Sequence, residues 1–158
     1  MLAVVKQIVG WFGGHGHMEI LPNVMVAARK YAAERCSNYI GTEHLFVGLF
    51  SSPTGPAARA LANCGATESA IRSEIERVFG PPEPNEKDSD CAVAPRVNKA
   101  LERAQKEANT RGHPVVTHEH LLLGLIADNE SVATNLLLCL DVDLKQLSES
   151  LAEEAGWS

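Results

Sequence analysis

The sequence predicts an all-α fold: two pseudo-symmetric four-helix repeats preceded by a short N-terminal helix. Three observations predict it. First, the chain repeats itself: residues 39–50, YIGTEHLFVGLF, match residues 115–126, VVTHEHLLLGLI, so that residue 43 falls on residue 119. Second, apolar residues recur at helical spacing in each copy, as in Ile71, Ile75 and Val78 and again in Leu144, Leu147 and Leu151. Third, no convincing run of alternating apolar and polar residues marks a strand. The same register, extended without gaps, pairs Ala28 with Ala104, Arg35 with Arg111, Ala57 with Ala133, Leu61 with Leu137 and Gly80 with Gly156. Two copies of so long a period are not a solenoid array, and they read as halves of one domain.

The N-terminal segment comes first. Val5, Ile8, Val9 and Phe12 fall near helical spacing, which predicts an amphipathic helix that docks on its own domain, a partner or a membrane surface. Lys6 lies inside the apolar run and no small-residue cleavage site follows, so the segment does not read as an export signal. Residues 13–17, Gly-Gly-His-Gly-His, read as a hinge, which places residues 1–17 apart from a double-repeat domain over 18–158. Repeat one spans 18–80, a Pro-rich charged linker 81–94, and repeat two 95–156. The first helix of each copy is predicted over Pro22–Arg35 and Pro95–Arg111, with Pro95 suited to a first helical position. The second helices start near Thr42 and Thr117, whose hydroxyls could cap them. The third start near Pro56 and Ser131. The fourth start at Thr67 and Asp143, and Asp143 with Gln146 has capping-box spacing. Gly48 and Gly124 lie inside predicted helices, where glycine costs about 1 kcal/mol relative to alanine, which suggests that a second backbone passes close to each.

Composition bounds the function. The 158 residues are 45% hydrophobic and 22% charged, as in a globular domain, and only 5% aromatic, so Leu, Val, Ile and Ala must form the core. No apolar run approaches the ~20 residues that a transmembrane helix needs. The formal charge of −6 argues against a generic nucleic-acid binder. That acidity is concentrated between Gly80 and Ala94 and after Asp141, leaving the first helices locally basic with Arg96, Lys99, Arg103, Lys106 and Arg111. This basic face reads as solvated or as a surface for an acidic partner. Cys36, Cys64, Cys91 and Cys139 form no CxxC pair and read as reduced thiols of a cytoplasmic protein. Cys64 and Cys139, at the ends of apolar helices, are expected in the core.

The string GTEHLFVGL, repeated as THEHLLLGL, together with Gly112-His113 ahead of the second copy, resembles the Clp N-terminal repeat domain of the Clp/Hsp100 unfoldases, ClpC-type in particular. The resemblance covers roughly residues 18–156. It implies two four-helix repeats and a non-enzymatic module that recognises substrates or adaptors of a proteolytic machine, cytoplasmic or, in a plant, in the plastid stroma. Expected partners are Clp unfoldase or protease subunits and adaptor or substrate proteins, arginine-phosphorylated ones among them. A structural accessory subunit docking through the N-terminal helix is the alternative. No GxxxxGK[ST] phosphate loop is present, so the ATPase that follows this domain in full unfoldases is missing from the chain. The N-terminal helix favours a stand-alone protein over an excised domain.

Glu43 and Glu119 hold the same place in each copy. A first-turn carboxylate suits the helix dipole. The resemblance also implies that each receives the guanidinium of a phosphoarginine, which a carboxylate can bind bidentately. The family's threonine at the start of each first helix is replaced here by Met18 and Ala94, which offer no hydroxyl to a phosphate. Copy one also departs at Cys36-Ser37, where the family has Gly-His. His44 and His120 read as buried, hydrogen-bonded loop-fixing residues. His118 and His120 diverge on a helix and do not make a metal site. No catalytic residue, metal site or cofactor is expected.

Overall fold

The computed structural model describes residues 21–83 and 92–157. The expected N-terminal helix and hinge, Met18 and Cys91 lie outside the described residues. Repeat one consists of α1 (Leu21–Glu34), α2 (Thr42–Gly48), a 3-10 turn (Leu49–Ser51), α3 (Pro56–Asn63) and α4 (Glu68–Phe79). Repeat two consists of α5 (Pro95–Thr110), α6 (His118–Ile126), α7 (Val132–Cys139) and α8 (Leu144–Glu154). The repeat register places α3 on α7, and the first residue of α4 on that of α8. The fold is all-α, as the sequence predicts.

Local chemistry sets the helix starts. Pro56 and Pro95 occupy the first turn of α3 and α5. The side chains of Thr67, Ser131 and Asp143 accept backbone N–H groups of Ala70, Thr134 and Lys145/Gln146 at 2.9–3.2 Å. The second helices start at the two motif threonines, as expected, but the threonines do not play the same part. Thr117 stands at the N-cap of α6, but Thr42 lies inside α2, whose N-cap is Gly41. The Thr42 hydroxyl instead accepts the N–H of Ala133 at the start of α7 in the other repeat, at 3.3 Å.

Both first helices end in a left-handed residue, Cys36 (φ 53°) and Gly112 (φ 69°). The N–H of the next residue then closes on a carbonyl five positions back, Ser37 on Ala32 and His113 on Ala108. Cys-Ser and Gly-His thus make one turn, and Cys36 bears the strain that glycine avoids. A two-residue parallel ladder follows, β1 (Tyr39–Ile40) with β2 (Ala92–Val93). A ladder this short leaves no alternation in the sequence to find. It ties the end of the 81–94 stretch to the motif loop of repeat one.

Within each repeat the first helix packs on the second, α1 on α2 and α5 on α6. Further contacts cross between the repeats: α3 packs on α8, α4 on α7, and α2 on α7, alongside smaller contacts of α2 with α4 and of α6 with α7 and α8 inside a repeat. The repeats are therefore interlocked around one core of Ile40, Leu45, Phe46, Leu49, Leu61, Ile71, Ile75, Leu101, Leu121, Leu122 and Leu125. The two mid-helix glycines permit the α1–α2 and α5–α6 contacts. A Cβ at Gly48 would lie 2.6 Å from the Val24 carbonyl oxygen, and one at Gly124 would lie 2.4 Å from that of Ala100. The cysteine expectation is corrected: Cys64 is half-buried and Cys139 exposed. The buried stripe of α7 runs through Ala133, Leu136 and Leu137, and Cys139 lies off it. Among the described residues, no helix is long and apolar enough to cross a membrane.

Candidate functional site

The repeat motif builds two cavities of about 330 Å³ each. In each, a left-handed turn delivers one wall, the first turn of the second helix the floor, and the end of the fourth helix the opposite wall. The first cavity is lined by Arg35–Ser37, Tyr39, Glu43 and His44, and across from them by Ile75, Phe79 and the chain through Glu83. The second is lined by His113–Val115, Thr117, Glu119, His120, Ala155 and Trp157, with Pro56 contributed by the other repeat. The structure thus places Glu43 and Glu119 at matching positions in two separate pockets.

Glu43 is buried in the first turn of α2. Burial raises its carboxyl above the ordinary carboxylate range, and hydrogen bonds from its own backbone and from Tyr39 only partly offset this. Its carboxylate folds back over Gly41: a Cβ on that glycine would lie 2.4 Å from Glu43 Oε2. The rim is apolar, with Tyr39 and Phe79 both substantially exposed. Among the described residues, no arginine or lysine forms an ion pair with Glu43.

The neighbouring histidines are structural, as expected. His44 Nδ1 accepts the Gly41 N–H at 2.9 Å, and His120 Nδ1 accepts the Thr117 N–H at 2.9 Å. Each ring at the third helical position thereby satisfies the N-cap amide, as a capping-box glutamate would. Because Nδ1 accepts, each neutral ring carries its proton on Nε2. Burial, with Arg35 nearby, lowers His44 to about 4. Burial, with His113 and then Arg111 nearby, lowers His120 to about 4. The 3.7 Å approach of His44 to Glu43 is therefore not an ion pair at neutral pH. His120 Nε2 points at His113 Nδ1, 2.8 Å away, and its ring stacks on Trp157 with centroids 5.0 Å apart. The Arg111 guanidinium covers the Trp157 ring at 4.3 Å. In repeat one, Arg35 instead donates to the Gly80 carbonyl at 2.6 Å.

Glu119 has a partner that Glu43 lacks. Its Oε1 accepts the N–H of Ala57, in the first turn of α3, at 3.3 Å. At the symmetry-related place, the Ala133 N–H is taken by Thr42. His118, the counterpart of Thr42, reaches Ser51 across the repeat interface at 3.1 Å.

The basic face of α5 is partly used within the chain: Arg96 bonds both oxygens of Asp128 at 3.0 and 2.7 Å, and Arg103 lies 3.8 Å from the same carboxylate. Ala94, in the place of the family's threonine, spends its N–H on the Ile40 carbonyl at 2.9 Å. Sequence reasoning did not assign Phe79, Trp157 or Pro56 to a site, because they reach the pockets from segments distant in sequence. The Gly41/Thr117 mismatch within the repeat was visible in the alignment.

The Clp repeat N-terminal domain model matches residues 19–107 and 92–156. The chain is 35% identical over 131 residues to a probable ATP-dependent Clp protease ATP-binding subunit of Chlamydia pneumoniae, covering 83% of this chain and 16% of that protein. It is 33% identical over 133 residues to the ClpC subunit of Staphylococcus epidermidis, covering 84% and 16%. A ClpB chaperone of Oceanobacillus iheyensis matches at 35%, with 84% and 16% covered. The similarity is thus to the family rather than to one branch, and the chain spans 16% of the length of these relatives. Among solved structures, the N-terminal domain of ClpD from Arabidopsis thaliana superposes with a TM-score of 0.70 at 19% identity, covering 91% of this chain and 99% of that one. The Hsp104 N-terminal domain from Candida albicans gives 0.74 at 12%, covering 91% and 94%. These two show the same fold. With the motif doubled, the helices interlocked and the family model matching both halves, the chain belongs to the Clp repeat N-terminal domain family.

Proposed function

We propose that this domain is a non-catalytic recognition module of the Clp system, which binds substrate or adaptor proteins through the pockets at Glu43 and Glu119. The observation that carries the reading is the buried Glu43 carboxylate at the floor of an open cavity with Tyr39 and Phe79 at its rim. A buried carboxylate without a cation is costly unless a ligand supplies one. An arginine side chain fits both features: its stem packs on the rim and its guanidinium pairs bidentately with the carboxylate. A phosphate on that guanidinium would lack the family's threonine, whose place in repeat one is taken by Met18, a residue with no hydroxyl. Phosphorylation should therefore add little affinity.

The test is titration of the chain with one peptide in three forms, carrying arginine, phosphoarginine or the uncharged isostere citrulline. Arginine should bind, citrulline should not, and Glu43→Gln should abolish the difference. Equal binding of arginine and citrulline would overturn the reading.

A further inference from the structure

We propose that the Gly41/Thr117 difference gives the two motif glutamates different tasks. Glu43 faces the ligand, while Glu119 is a clasp that holds the start of α3 against repeat two. The ligand half of this rests on the cation-binding reading above.

The N-cap backbone is nearly the same in both copies, with φ −99° and ψ 179° at Gly41 and φ −113° and ψ 175° at Thr117. What differs is the side chain. The Glu43 carboxylate lies where a Cβ on residue 41 would be, with 2.4 Å to Oε2, 2.7 Å to Oε1 and 2.8 Å to the carboxyl carbon. A Cβ is fixed by the backbone, so the Glu43 side chain would have to swing away from it. Thr117 has that Cβ, so Glu119 cannot fold back in the same way. Its carboxylate turns instead to the Ala57 N–H across the repeat interface.

The helices that receive these contacts differ in the complementary sense. The N-cap of α3 is Gly55, which makes no side-chain cap, so an acceptor from outside is needed. The N-cap of α7 is Ser131, which caps its own helix, and Thr42 takes the Ala133 N–H as well. The Ala133 N–H at the start of α7 is therefore not vacant for Glu43, whereas the Ala57 N–H at the start of α3 commits Glu119. Two single-residue differences, at 41/117 and 42/118, convert a symmetric pair of pockets into one ligand carboxylate and one structural carboxylate.

The experiment follows backbone amide shifts of the full chain as acetyl-arginine amide is added, alongside thermal unfolding. In the parent chain, shifts should concentrate at residues 36–44 and 79–83. Thr117→Gly should add a second responding set at residues 112–120 and 155–157. Gly41→Ala, or Gly41→Thr if it folds, should weaken the first set at least tenfold. Glu119→Ala should lower the unfolding midpoint, and Glu43→Ala should not. Equal responses of both pockets in the parent chain, or equal loss of midpoint in the two alanine variants, would overturn the proposal. No response at any residue would overturn the cation reading and the ligand half with it, whereas the unfolding comparison would still decide whether Glu119 is the clasp.

Discussion

At the scale of single residues, the buried ionisable groups of the motif make opposite demands on stability. His44 and His120 are held at about 4, below their ordinary value of 6.5. The unfolded chain therefore binds more protons than the folded one between those values. The stabilisation from each neutral ring is complete above about pH 6.5 and is lost as pH falls towards 4, on the order of 3 kcal/mol per ring. Glu43 has the reverse sign, since its raised carboxyl binds a proton more tightly in the folded chain and costs stability as pH rises above the ordinary 4.5. The expected outcome is a urea midpoint that falls steeply from pH 6.5 to 4, a fall reduced by about half in His44→Gln. A flat profile would contradict the burial of the rings. Glu43→Gln should leave neutral-pH stability equal or raise it. Glu119→Ala should cost about 1–3 kcal/mol by leaving the Ala57 amide unpaired.

At the scale of elements, the close helix pairs depend on residues without a Cβ. Gly48→Ala or Gly124→Ala would drive a methyl group into the carbonyl of Val24 or Ala100. Each should cost about 1–3 kcal/mol in denaturant unfolding, by the usual cost of overpacking. Cys36→Gly should do the opposite and add up to about 1 kcal/mol, because the φ of 53° at Cys36 is easily adopted by glycine. A loss of stability in Cys36→Gly would mean that the thiol contributes more by packing than the strain costs.

Most of these elements were legible in the sequence, for definite reasons. Thr67, Ser131 and Asp143 cap helices by their own local chemistry, so the starts of α4, α7 and α8 follow from a few adjacent residues. The glycines repeat, and repetition implied a shared packing role. The site was less legible. The alignment placed Glu43 and Glu119 as equals, but the partner that separates them, the Ala57 N–H on Glu119, comes from a position 62 residues away in sequence. The Tyr39–Ala92 ladder was likewise hidden, because two residues have no period.

At the scale of the whole molecule, the crossing contacts decide how the domain behaves. Because α3 packs on α8 and α4 on α7, neither repeat can bury its own apolar faces alone. The domain should unfold in a single calorimetric transition, and residues 21–80 expressed alone should fail to fold. Two separable transitions would contradict the interlocked core. Each pocket lies between a motif loop and the end of the fourth helix of the same repeat, so a ligand at Glu43 would also bear on the end of α4 at Phe79 and Gly80.

The central claim is that the Glu43 carboxylate is the ligand receptor. Carbon-detected NMR of that carboxyl through a pH titration, with and without a saturating arginine peptide, tests it most directly. In the free chain its midpoint should lie above the ordinary 4.5. The bound guanidinium should pull it down by at least one unit, since an opposite charge favours the ionised form. A midpoint that the peptide leaves unmoved, while binding is seen elsewhere on the chain, would contradict the claim.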